Sequence, residues 1–142
     1  VPPAPGCDLA IAYTGAVAPE AIAAHAELQD DVPGAGLLAV TSPDLLHAGW
    51  LAAGKRRAAG DRTAQAHVES LLGQLGSGAA LVTVLDGHPA TLSWLGSVGD
   101  YRVSALGVEK FGQSSDIPDA FRFHGIDTDA ILDAAAAACL AR

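Results

Sequence analysis

Methionine is missing from all 142 residues, position 1 included, which predicts that this chain is a piece of a longer reading frame. A secretory leader is not legible either, because Val1-Pro2-Pro3 offers neither a basic region nor an apolar core. Half of the residues are apolar and mean hydropathy is +0.29, yet no apolar run approaches the ~18 residues that a bilayer-spanning helix needs. The longest, Ala134 to Leu140, is mostly alanine and reads as a soluble helix, so no membrane partner is expected. Basic residues are scarce, eight against sixteen acidic ones, for a formal charge of −8 and a pI near 4.8. Nucleic-acid phosphates demand a basic face, so no nucleic-acid partner is expected. Half of the basic residues form one cluster, Lys55, Arg56, Arg57 and Arg62. Their favoured role is a solvated helix C-terminus, where cations offset the carbonyl end of the helix dipole; a docking patch is the lesser alternative. Cysteine is limited to Cys7 and Cys139, near opposite ends and without metal-ligand or redox spacing. Two free thiols in a reducing cytosol fit that usage, and a cytoplasmic location is expected.

The familiar signatures of chemistry are also missing. Gly34-Ala35-Gly36 and Gly76-Ser77-Gly78 each precede a strand and open no helix, so neither is a dinucleotide fingerprint, and the Walker lysine motif is absent. Five histidines, His25, His47, His67, His88 and His124, form no i, i+4 ligand pair and no His-Glu-x-x-His, which favours surface or capping roles over a metal. Asp86, His88 and Ser93 lie close in sequence and invite comparison with a hydrolase triad. Ser93, however, sits in Leu92-Ser93-Trp94-Leu95, which lacks the Gly-x-Ser-x-Gly elbow that exposes a nucleophile. Trp50 and Trp94 read as isolated aromatics on predicted helices, explained by core or domain-interface packing. No catalytic residue, cofactor-binding residue or metal ligand is expected in the chain.

What is present is a regular alternation. Apolar, β-type runs at 9–14, 37–40, 79–85 and 102–106 predict four buried strands. Helices are predicted between them: Pro19 to about Leu28, Ser42-Pro43-Asp44 onward to near Gly60, Thr63 to Leu75, and one within Ala90 to Val98. Two more follow the last strand, from Ile117 and from an Asp127 cap to Leu140. Alternation of this kind predicts an α/β fold of three layers, α/β/α, around a mainly parallel open sheet. Crossovers diverging from a central first strand give the order 2-1-3-4. In such a sheet ligands and partner domains dock at the carboxyl edge. Asp86-Gly87-His88-Pro89, after a central strand, is turn chemistry first, and its position also makes Asp86 and His88 ligand or interface candidates.

One stretch carries more than the rest: Leu106-Gly107-Val108-Glu109-Lys110-Phe111-Gly112-Gln113-Ser114-Ser115-Asp116. A strand ends in glycine, opens a polar loop holding Phe-Gly and small polar residues, and leads into a helix. It resembles the Gly-x-x-x-Phe-Gly-x-Ser loop of the C-terminal domain of the transketolase superfamily. Leu9-Ala10-Ile11-Ala12-Tyr13-Thr14-Gly15 is similar to the strand ending in Thr-Gly that begins the recognisable part of that domain. Val40-Thr41-Ser42-Pro43-Asp44-Leu45-Leu46 resembles a helix start in the homodimeric pyruvate dehydrogenase decarboxylating component, which favours the 2-oxo acid dehydrogenase branch.

The resemblance implies a linker over 1–8 from an upstream domain and a C-terminal domain over 9–142. That domain would be a non-catalytic structural and dimerisation unit of a thiamine diphosphate-dependent 2-oxo acid dehydrogenase component. Thiamine diphosphate and magnesium would be held by upstream domains of the parent enzyme and not here. Implied partners are those upstream domains, a homodimer partner and, through the complex, an acyltransferase component. Gly15, Asp86, His88, Phe111 and Gly112 would form the crevice or domain interface. The family's domain also has an antiparallel edge strand just before the position of Cys7, little of which this chain would contain. The alternatives are the C-terminal domain of a transketolase proper, and a stand-alone α/β module binding a small anionic ligand.

Overall fold

Leu9-Ala10-Ile11-Ala12 alternates large and small side chains, and a pleated strand sends them to opposite faces. In the computed structural model, which describes residues 1–110, 112 and 114–140, this run is the centre of β1 (Cys7–Thr14). The chain continues through α1 (Ala18–Asp31), β2 (Gly36–Ala39), α2 (Pro43–Ala58), α3 (His67–Leu72) and β3 (Leu75–Leu85). Then come α4 (Ala90–Ser93), a 3-10 turn (Trp94–Val98), β4 (Arg102–Leu106), α5 (Ile117–His124) and α6 (Thr128–Leu140). All four strands are parallel, in the order β2-β1-β3-β4, with helices on both faces. Ile11 lies opposite Leu37 on one side and Val82 on the other, and Val82 lies opposite Ser104.

The first face is built from large sheet residues and small helix residues. Leu9, Ile11, Val82 and Val84 pack against Ala21 and Ala24 of α1 and Ile131, Ala135 and Ala138 of α6. Alanine keeps these helices close, and each fully buried aliphatic side chain of the sheet contributes about 1.5–3 kcal/mol. On the second face β1 inverts the scheme, while β3 still presents Leu81 and Leu85. Ala10 and Ala12 give room to Leu72, Leu92 and Leu95, with Leu46, Trp50 and Trp94 packed around them.

Helix starts follow local chemistry. Pro19, Pro43 and Pro118 each stand in a first turn, where the missing N–H costs nothing. The Asp116 carboxylate accepts from the Asp119 N–H at 3.0 Å, and Asp127 accepts from the Ala130 N–H at 3.2 Å. Gly125, at φ +63, closes α5 in the left-handed conformation typical of such ends. Ser42 precedes α2 as expected but its hydroxyl makes no capping bond.

Several boundaries differ from the reading of the sequence. The helix expected over 63–75 is only His67–Leu72, because Leu75 opens β3 and pairs with Cys7. Gly76 lies within that strand, where a Cβ would fall 2.8 Å from an Asp8 carboxylate oxygen. β1 likewise starts at Cys7 and not at Leu9, with a register shift between the two. Before it, Val1 and Leu37 exchange both backbone hydrogen bonds, at 2.9 and 2.8 Å. That double exchange is an antiparallel pattern along the outer side of β2, although the sheet itself has four strands.

Candidate functional site

The carboxyl ends of β1, β3 and β4 share one edge of the sheet, and the loops leaving them are tied together. β1 gives way to Gly15, with φ +86, and the next N–H, of Ala16, donates to the Asp86 carboxylate at 3.0 Å. A Cβ at Gly15 would lie 1.8 Å from Asp86 Oδ1, so this glycine is required by conformation and by space alike. From the next loop, the Val108 N–H donates to the Gly87 carbonyl at 2.8 Å. A Cβ on Gly107 would come within 2.6 Å of that same oxygen. His88 Nδ1 accepts from the Ala90 N–H at 3.2 Å at the start of α4. The structure thus brings Gly15, Asp86 and His88 together on a rim held by backbone hydrogen bonds. Gly112 is exposed at φ +96 with open space around it, and Phe111 lies outside the described residues. Asp86 and His88 are themselves exposed, so the rim offers a carboxylate and an imidazole to whatever docks there.

Other sequence candidates separate from this edge. Ser93 Oγ donates to the Ala90 carbonyl at 3.5 Å, along the helix. His25 is not a surface residue: it is buried, with Nε2 2.8 Å from the Ala35 carbonyl. The tryptophans are not isolated either. Trp50 and Trp94 stack with ring centroids 5.3 Å apart, and His47 sits 4.7 Å from Trp94. Their spacing in the sequence gave no sign of this, because α2 meets the 3-10 turn only in three dimensions.

Lys55, Arg56 and Arg57 of the basic cluster end α2, as its dipole favours, and Arg56 and Arg57 are engaged in ion pairs. Arg56 pairs with Asp61 at 2.6 Å; hydrogen bonds from Thr63 first, and from Arg56, hold the Asp61 carboxyl down to about 2. Arg57 reaches across to α3, pairing with Glu69 at 2.8 Å and donating to the Ala64 carbonyl at 3.0 Å. The Ala66 N–H, then Arg57, lowers the Glu69 carboxyl below its ordinary range. This latch joins α2 to α3 beside a cleft of about 320 Å³ that sequence reasoning did not foresee. Its one sequence signal is Gly49 inside a helix, a residue that weakens helices by roughly 1 kcal/mol relative to alanine.

Among the described residues no three His, Cys, Asp or Glu side chains are grouped to hold a metal ion, and no helix is long and apolar enough to cross a membrane.

A parallel sheet in the order 2-1-3-4, flanked by helices on both faces, defines the class: a three-layer open α/β domain. No family model matches the chain, and no curated protein matches its sequence. Solved structures do match, twelve chains in all. One is described as "Split gene transketolase, inactive beta4 tetramer", with a TM-score of 0.60 and 16% identity over 95% of this chain. The chain spans 40% of the length of that one. The likeness establishes a fold shared with part of a transketolase chain.

Proposed function

We propose that residues 9–142 are a transketolase-type C-terminal domain, with 1–8 the linker from an upstream domain. The observation that carries this reading is a fold shared over 95% of this chain with a domain-sized part, 40%, of a transketolase chain. The parent would be a cytoplasmic, thiamine diphosphate- and magnesium-dependent enzyme whose upstream domains hold the cofactor. This domain would contribute a structural and dimerisation surface. The Val40-Thr41-Ser42-Pro43 helix start favours the decarboxylating component of a 2-oxo acid dehydrogenase, which passes its acyl group to an acyltransferase component. The description of the solved neighbour favours a second reading, a transketolase proper that transfers two-carbon units between sugars.

In either parent the rim formed by Gly15, Asp86, His88 and the 107–112 loop would face another domain or subunit. Its backbone lacing supports this, since a pre-ordered surface loses little entropy on docking. Phe111, an apolar side chain in a polar loop, would be the anchor, contributing about 1.5–3 kcal/mol if buried in a partner. The test is Phe111→Ala in the full-length enzyme and in this chain alone. Weaker dimerisation of the enzyme, with the melting temperature of the isolated chain unchanged, is the expected result. A large fall in that melting temperature would place the ring in this domain's own core and end the interface reading. Decarboxylation of 2-oxo acids against ketol transfer by the full-length enzyme separates the two parents.

A further inference from the structure

On the second face of the sheet, α2 and α3 stand apart and leave the cleft of about 320 Å³ between them. That volume falls in the range of small-molecule pockets, roughly 300–1,000 Å³. Its depth is aliphatic: Ala12, Val68, Leu72 and Leu95 are each at most 2% exposed. Leu45 and Leu71 stand at the mouth, 70% and 38% exposed. The polar lining comes from Thr41, Ser42 and His67, and the Ser42 hydroxyl is not spent on capping α2. Among the described residues no Asp, Glu, Lys or Arg lines the cleft, although these make up 17% of the chain. Gly49 also lines it, at a position where a Cβ would meet nothing within 4 Å. A helix-weakening glycine beside unfilled space keeps open what almost any other residue would narrow.

We propose that this cleft binds a small uncharged amphiphile: an unbranched aliphatic chain carrying one hydroxyl, amide or ester group that hydrogen-bonds among Thr41, Ser42 and His67. Lack of charge follows from the lining. Within that lining a buried cation would find no carboxylate and a buried anion no ammonium or guanidinium. The size of the opening argues against a protein occupant. A stable protein interface covers about 800 Å² on each partner, whereas the exposed apolar side chains at this mouth are two leucines. The site stands independently of the proposed parent enzyme, and its test leaves that reading untouched.

The probe is 1-octanol, titrated into the 142-residue chain and followed by calorimetry and amide NMR. Saturable binding is expected, with shifts confined to residues around 38–49 and 67–72. Octanoate and octylamine at neutral pH should bind about tenfold more weakly. Gly49→Leu should fill the cleft, raise the melting temperature and abolish binding, which separates occupancy from folding. Leu45→Ser, at an exposed position, should leave the fold intact and weaken binding several-fold. Octanol without saturable shifts, octanoate bound as tightly as octanol, or Gly49→Leu with unchanged affinity would each overturn the proposal. If Gly49→Leu fails to fold, unchanged affinity in Leu45→Ser overturns it alone. Self-association of the wild-type chain that Leu45→Ser abolishes, with no octanol binding, would assign the cleft to a second copy.

Discussion

The two faces of one sheet solve the packing problem in opposite ways. On the first, Leu9, Ile11, Val82 and Val84 project into a wall of alanines from α1 and α6, and the layer closes. On the second, Ala10 and Ala12 face leucines and tryptophans, and the layer closes only in part. The first face is covered by two long helices, α1 and α6 with 14 and 13 residues, whereas the second has one long helix, α2 with 16, and two short ones, α3 with 6 and α4 with 4. Short helices leave gaps at their ends, and space left there is available to ligands. Tight closure holds the fold, and partial closure leaves room for binding.

A cavity made in the closed face should cost most. Ile11→Ala, fully buried at the centre of β1, should lose about 3–5 kcal/mol in urea unfolding, whereas Leu46→Ala beside the existing cleft should lose about 1–2. Equal losses would show that the second face is as tightly packed as the first.

A smaller effect, of opposite sign, is expected at Thr83. Its hydroxyl is fully buried without a hydrogen-bond partner, and alternation with Leu81 and Leu85 puts it on the second face. Thr83→Val should therefore stabilise the chain by about 1 kcal/mol, read as a higher urea midpoint. A fall in that midpoint would mean the hydroxyl has found water or a backbone partner.

Acid should give the gentlest difference. Asp61 and Glu69 have folded-state values below their unfolded ones, so their contribution is complete above the unfolded carboxylate range. It is lost as pH falls from there toward the folded values, about 2 for Asp61. Protection of the amides at 61–72, measured against their intrinsic exchange rates at each pH, should fall over that window while protection in α1 and α6 holds. A uniform fall would show that the latch does not act on the second face alone.

The layout of the fold was legible because parallel strands appear as short apolar runs and their helices announce themselves through Pro19, Pro43, Asp116 and Asp127. Leu75 was misread because it continues the helical spacing of Val68, Leu71 and Leu72. What claims it for β3 is a pairing with Cys7, far away in the chain. Gly15 and Asp86 were legible singly, as residues at strand ends, but not as a pair in contact. The cleft was hardest to see, since unoccupied volume is encoded by no residue and Gly49 hints at it only through a missing side chain.

The central position of the earliest strand has a consequence for synthesis. β1 is complete at Thr14, but its second neighbour is not finished until Leu85, whereas β2 ends at Ala39. At 5–20 residues per second, the nascent chain spends roughly two to nine seconds with a two-stranded ribbon whose inner strand lacks one partner. Two strands alone are marginal in water. Vectorial folding of this chain therefore waits for β3, and the delay exposes the very strand that will end deepest in the molecule.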